Sequence, residues 1–373
     1  MRALLCISLC LAGCYGSPLR DFLGDAGVNL VDSSPSGDLA GTCPQGAVFC
    51  GGACFTYDYN TDPDNCGGCA RRCPAGNVCA SGQCTSIHVL SPMGGCGLVT
   101  TPLGFLMESG PGNVYLVAFD GSATTPLTTG TSMSGCGSLA SDGVYAYWTR
   151  PDPHQGHPVQ GTVNRVPLAG GPTEVLATEV DPSSLNIESG TVYWLNGAIA
   201  KQFPNAIVQI PASGGAVSQI AAPQSPGTLL VRDATAWVSN THLTAMAATY
   251  MPVATGSSHY VDGLLGTPIL AAVDASTLYY AAIVSNDYEL WSIPRLGGTP
   301  MKLAPISTGL SALTLDGTNI YFADASDSGV FKIATTGGAK IPIAPNQTSV
   351  RGIAVHDSSV CWTTNKELRC AAR

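Results

Sequence analysis

The strongest constraint on this chain is a pattern that returns about every 40 to 46 residues over its C-terminal three quarters. Its clearest copy, LTLDGTNIYFADASDSGVFKIATTGGAKIPIA from Leu313 to Ala344, reads as four short strands. The first ends at Leu315, and Asp316-Gly317 supply a tight turn into a second strand, Asn319 to Ala323, that carries Tyr321-Phe322. A looser loop leads to a third strand, Val330 to Ala334. Gly337-Gly338, which accept positive φ at little steric cost, then turn the chain into Lys340 to Ala344. A four-stranded meander cannot bury both faces alone, so it must stack on copies of itself, as the blades of a β-propeller do.

Aligned on the second strand, the copies carry Trp148, Trp194, Trp237, Tyr280, Phe322 and Trp362, and an earlier copy has Met107 there. The count favours an all-β propeller of seven blades, or six if Gly97 to Thr129 is not a copy. The copy around THLTAMAATYMPVA departs from the pattern, and the last stops after its third strand, Glu367 to Ala371. Ser86 to Leu90 is β-favouring and predicts the missing strand, which would remove an exposed edge. Such a ring is expected to be monomeric. The aromatic row reads as packing between blades, and Asp142, Asp274, Asp316 and Asp357 read as turn residues.

The N-terminal part divides into three further segments. Residues 1–14 read as a secretion signal: Arg2, an apolar run from Ala3 to Leu11, then Leu11-Ala12-Gly13-Cys14. Small residues before a cysteine resemble the lipobox of bacterial lipoproteins, which implies acyl chains on Cys14 and a membrane-surface anchor in the cell envelope, at the outer membrane or cell surface. Residues 15–42 are rich in Gly, Ser, Asp and Pro and poor in apolar groups, as expected of a disordered tether. Residues 43–84 hold eight cysteines, Cys43, Cys50, Cys54, Cys66, Cys69, Cys73, Cys79 and Cys84, and almost no aliphatic core. So small a segment needs disulfides, whose connectivity its spacing leaves open. The propeller follows over 85–373.

The segment CPQGAVFCGGACFTYDYNTDPDNCGGCARRCPAGNVCASGQC, with Cys50-Gly51-Gly52, Cys54, Asn65-Cys66-Gly67, Cys69, Cys73, Cys79 and Cys84, resembles the cysteine-rich repeat of Stig1-type proteins. That repeat also precedes propellers in secreted proteins of myxobacteria, and the resemblance implies export. YWxN followed by VPxxGG resembles the repeats of TolB-like and YWTD-type propellers. Zinc is the competing use of close cysteines, but the absence of histidine from the module favours disulfides. Asp58, Asn60, Asp62 and Asp64 alternate like an EF-hand loop, yet Pro63 stands where glycine is required and Cys69 where the bidentate glutamate belongs. No metal or cofactor is expected.

In the propeller, Cys361 and Cys370 flank a hairpin turn at Thr364 to Glu367 that would set them directly across two strands. Cys96 and Cys136 occupy matching places in copies one and two, which predicts a bond between adjacent blades. Net charge is −9 for the whole chain, and no basic stripe is available for phosphates, which excludes nucleic acid as a partner.

An up-and-down meander puts the turns between strands one and two on the same face as those between three and four, and here these are short and uniform. The other connections share the opposite face and read as long and irregular: Arg150 to Gly161, Asn196 to Asn205, Thr255 to Pro268, Ala282 to Tyr288 and Asp324 to Gly329. Loops on a rigid scaffold carry function, so the irregular face is the expected ligand site. The candidates on it are Arg150, His154, His157, Lys201, Gln202, His259, Tyr260, Asp262, Asn286, Asp287 and Tyr288. No nucleophile elbow, phosphate loop or zincin helix occurs. The expected role is binding of a protein, peptide or glycan, with an extracellular lyase, hydrolase or oxidoreductase as the alternative.

Overall fold

A computed structural model describes residues 43–373, except 44–46, 51–52, 57–58, 61, 63, 75–76, 81, 111, 130–136, 151–159, 198–204, 224–225, 241–247, 286, 307–309 and 325–327. The signal, Cys14 and the tether lie outside the described residues. Within them the chain is all-β: seven antiparallel sheets form the blades, and a two-stranded hairpin belongs to the cysteine-rich module. Innermost strands of successive blades touch one another, and Gly352–His356 of blade seven touches Gly97–Thr101 of blade one, closing the ring.

Blade six shows why the repeat folds this way. Its strands are Leu310–Leu315, Asn319–Asp324, Gly329–Ala334 and Ile341–Ala344, paired in that order. The turn after the first strand is built by Asp316, whose Oδ1 accepts the N–H groups of Thr318 (2.9 Å) and Asn319 (2.7 Å). The Tyr321 hydroxyl donates to the other oxygen at 2.8 Å. Tyr147 on Asp142 and Tyr279 on Asp274 repeat this bond at the same length, so the motif fixes the turn and the first core side chain together. Gly337 and Gly338 take φ of 83° and 128°, a region that disfavours any side chain. The second strand packs against neighbours on both sides and is therefore buried almost throughout. Its aromatic row, Trp194, Trp237, Tyr280, Phe322 and Trp362, is fully buried, each ring stabilising the stack by about 3 kcal/mol of transfer free energy.

Of the connections assigned to long loops, one is a hairpin and another is interrupted by a short strand. Ala282 to Tyr288 is a tight hairpin, because Thr277–Val284 and Asp287–Pro294 pair to their ends, Ile283 with Tyr288 and Val284 with Asp287. Thr255 to Pro268 contains His259–Tyr260, the two-residue outer strand of blade four. The irregularity of that copy is therefore a shortened edge strand.

Blade seven has three strands from the C-terminus, and Gln83–Ser91 is the fourth, with Cys370 opposite His88 and Leu368 opposite Ser91. The first half of this strand also pairs with Asn77–Ala80, so the module continues the blade as a fifth strand. In the module Cys43 is bonded to Cys54, Cys66 to Cys79 and Cys73 to Cys84. Cys69 is also in a disulfide, while the side chain of Cys50 lies outside the described residues. Buried Cys66, Cys73 and Cys79, with Cys84 against them, make a core of sulfur where aliphatic residues are scarce. The sulfurs of Cys66, Cys73 and Cys84 lie within 4.8 Å of one another, but all three are consumed by disulfides and offer no thiolate to a metal. In the propeller Cys361 and Cys370 are directly cross-strand and bonded. Cys96 is disulfide-bonded, and Cys136 lies outside the described residues.

Candidate functional site

On the irregular face, the connection from blade six to blade seven and the turn Thr364 to Glu367 enclose a cavity of about 230 Å³. The turn holds itself: Thr364 Oγ1 accepts the N–H groups of Lys366 (3.2 Å) and Glu367 (3.1 Å). The connection is tied to the blade by buried Gln347, whose Oε1 accepts the Trp362 indole N–H (3.3 Å) and an Arg369 guanidinium N–H (2.9 Å). Arg369 Nε donates to Glu367 at 2.7 Å, so the guanidinium is pinned on two sides. Asn346 and Ser349 adopt φ of 59° and 58°, which bends the connection around the cavity. Beyond these, Thr348, Asn365 and exposed Lys366 complete a wall whose residues are all of polar type. A preoriented guanidinium, an ammonium, two amides and three hydroxyls suit a carboxylate, sulfate or phosphate carried among hydroxyl groups.

None of these residues was singled out from sequence. The signal was the run Asn346-Gln347-Thr348-Ser349, polar and between two strands, followed sixteen residues later by Asn365-Lys366 at a hairpin tip. The residues that were singled out do not converge. Arg150 ends the strand Tyr145–Arg150 and is half-buried. His154, His157, Lys201, Gln202 and Asn286 lie outside the described residues. His259 and Tyr260 are on the outer edge of blade four, with the His259 ring stacked on Tyr250 at 5.2 Å. The backbone carbonyl of Asp262 accepts the Gly298 N–H of blade five at 2.9 Å, a contact between blades. Asp287 and Tyr288 are ladder residues of the blade-five hairpin. Asp62 caps its own turn through the Asp64 N–H and the Asn65 amide, and Asp64 pairs with Arg72, so these two carboxylates are engaged locally, while Asp58 lies outside the described residues.

Glu108 and Asp324 are among the buried carboxylates at this end of the blades. Glu108 ends the second strand of blade one, with Gly104–Glu108 buried throughout. Burial pushes its carboxyl up to about 7, against the N–H groups of Gly112 (3.2 Å) and Gly137 (3.4 Å) that lower it. Its second oxygen has no hydrogen-bond partner. Asp324, at the end of the second strand of blade six, is instead paired with Lys340 at 2.9 Å, and that ammonium also lies 4.2 Å from the centre of the Phe331 ring.

A larger cavity, about 450 Å³, opens toward the short-turn side at the seam between blades seven and one. Its flat wall is Phe119 stacked on His356, ring centres 3.5 Å apart, with Phe105 edge-on to Phe119 at 5.0 Å. Leu90, the Cys361–Cys370 disulfide, His88, Ser359 and Asp120 complete it.

Residues 16–87 match the model of the Stigma-specific STIG1-like protein family. No curated protein sequence matches the chain. Among solved structures, the chain is similar to a catalytically inactive virginiamycin B lyase from Staphylococcus aureus with quinupristin, at 14% identity and a TM-score of 0.60 over 78% of this chain and 99% of that one. It is also similar to an oligogalacturonate lyase in complex with manganese, at 15% identity and a TM-score of 0.55 over 77% and 93%. The computationally designed Ika8 protein matches at 12% identity and a TM-score of 0.53 over 80% and 91%. At such identities the likeness to these solved structures concerns the propeller fold alone.

Proposed function

We propose that this protein is an exported binding protein, held at the cell envelope by acyl chains on Cys14, that recognises an acidic glycan or peptide through the irregular face of its propeller. The observation that carries this reading is the polar cavity beside blade seven, where Arg369 is held in place by Gln347 and Glu367 and exposed Lys366 lines the wall. The cavity has room for one acidic unit, and a polymer would extend from it across the face. Oligogalacturonate, named for one structurally similar lyase, supplies a practical probe. Titration calorimetry should show binding of oligogalacturonate and about tenfold weaker binding by Arg369→Ala and by Lys366→Ala, since a hydrogen-bonded charge contributes about 1.5–3 kcal/mol. Equal affinity for a neutral oligosaccharide, or variants that bind as the parent does, would overturn the reading. Anchoring is tested by intact mass of the membrane fraction, where an unmodified N-terminus at Tyr15 or later contradicts it.

The second reading is an enzyme of the same face, and Glu108 favours it. A buried carboxyl raised to about 7 is poised to exchange a proton near neutral pH. Cleavage of a bound polymer by the parent and its loss in Glu108→Gln, with binding retained, would select this reading over simple binding.

A further inference from the structure

The seam cavity is assembled from three distant parts of the sequence: the strand Gln83–Ser91, the turn around Phe119-Asp120 in blade one, and blade seven. At about 450 Å³ it is of ordinary ligand size. Its chemistry is the reverse of the cavity on the other face. No Lys or Arg is among the described residues that line it, and its fixed charge is the exposed carboxylate of Asp120. The Ser122 hydroxyl and N–H, the latter at 2.9 Å, hold that carboxyl below its ordinary range, so it is charged at neutral pH. The other carboxylate nearby, Asp357, sits 3.3 Å from His356 Nε2. His88 Nε2 faces the Ser86 hydroxyl at 3.2 Å. Beside Val89, Leu90 and the Cys361–Cys370 disulfide, the wall has an aromatic corner: Phe119 and His356 lie within 5° of parallel, and Phe105 stands at 87° to Phe119. Aromatic faces attract cations and stack on planar rings, and a carboxylate at the rim selects positive charge.

We infer that the seam between blades seven and one is a second ligand site, which takes a small organic amine with a planar apolar body: the body lies in the Phe105, Phe119 and His356 corner, and the ammonium faces Asp120. Because the walls come from both ends of the ring, an occupant also joins the first blade to the last and stabilises closure.

The probes are phenethylamine and its acidic counterpart phenylacetate, titrated calorimetrically into the full chain, with melting followed in parallel. Phenethylamine should bind saturably and raise the melting temperature, and phenylacetate should bind at least about tenfold more weakly, the scale of one charge-assisted hydrogen bond. Asp120→Asn should erase the difference between the two, and Phe119→Ala should weaken both. Phe119→Leu serves if the alanine variant does not fold. Absence of saturable phenethylamine binding, or an amine preference unchanged in Asp120→Asn, would overturn the site.

Discussion

Glu108 and Asp316 are carboxylates near blade ends on opposite faces of the ring, and their surroundings move them in opposite directions. Burial raises both. At Glu108 two long N–H contacts fail to offset it, and the group rises to about 7. At Asp316 the N–H groups of Asn319 and Thr318, with the Tyr321 hydroxyl, outweigh it and hold the group down to about 2. The difference lies in the connections. A short turn folds its own N–H groups onto the carboxylate that starts it, so much of that charge is stabilised locally, although Arg373 also reaches Asp316 at 2.6 Å. Glu108 instead takes one N–H from Gly112, four residues on, and one from Gly137 in the connection to the next blade, while Asp324 relies on Lys340.

This contrast can be broken most directly at Asp324, whose charge rests on Lys340. Lys340→Ala should cost about 3–5 kcal/mol in urea unfolding because it removes the cationic partner of a buried carboxylate. Pairing it with Asp324→Asn should recover much of that loss, and a cost under about 1 kcal/mol would remove the dependence. Next in size is Glu108→Gln. The folded protein binds this proton more tightly than the unfolded chain does, so the stability Glu108 contributes is complete below about pH 4.5 and lost as pH rises through about 7. The variant should therefore be more stable than the parent by about 3 kcal/mol at pH 8 and nearly equal to it at pH 4. A parallel offset at both pH values would contradict the buried carboxyl.

The seam comes third. Replacing both Cys361 and Cys370 by Ser frees a short loop in the unfolded chain and should cost about 2–3 kcal/mol, read as a lower melting temperature. Smaller again is Asp316→Asn, expected to cost about 1–2 kcal/mol at neutral pH. Its contribution is present above the ordinary value of 3.8 and lost as pH falls through about 2, the reverse of Glu108. Asp357→Asn should change stability by less than about 0.5 kcal/mol, because Asp357 is exposed and faces only His356. Equal costs at Asp316 and Asp357 would mean that the tyrosine clamp adds nothing to the turn.

Much of the architecture was legible because its signals are local. Asp316-Gly317, Tyr321 and Gly337-Gly338 lie within one repeat, and the ring needs only that each repeat pack on the next. The fourth strand of blade seven was legible for a related reason: a sheet three strands wide at one end of the chain calls for a strand from the other. The site was not legible. His259 and Tyr260 read as loop residues, because a strand two residues long carries no alternation, and Asp287 and Tyr288 because the hairpin they extend has no glycine at its turn. Glu108 looked like any strand-end acid, since its burial depends on Gly137 of the next blade.

From sequence alone came the all-β class, the seven repeats, the strand that closes the ring and a module that must be cross-linked by sulfur. These follow from turn chemistry and alternating apolar positions, which act over a few residues. Tertiary structure alone decided which cysteines pair within the module, that Arg369 meets Gln347, and that Phe119 stacks on His356 although more than two hundred residues separate them. Those contacts are set by how one blade's edge meets the next, a distance in space that the order of residues does not encode.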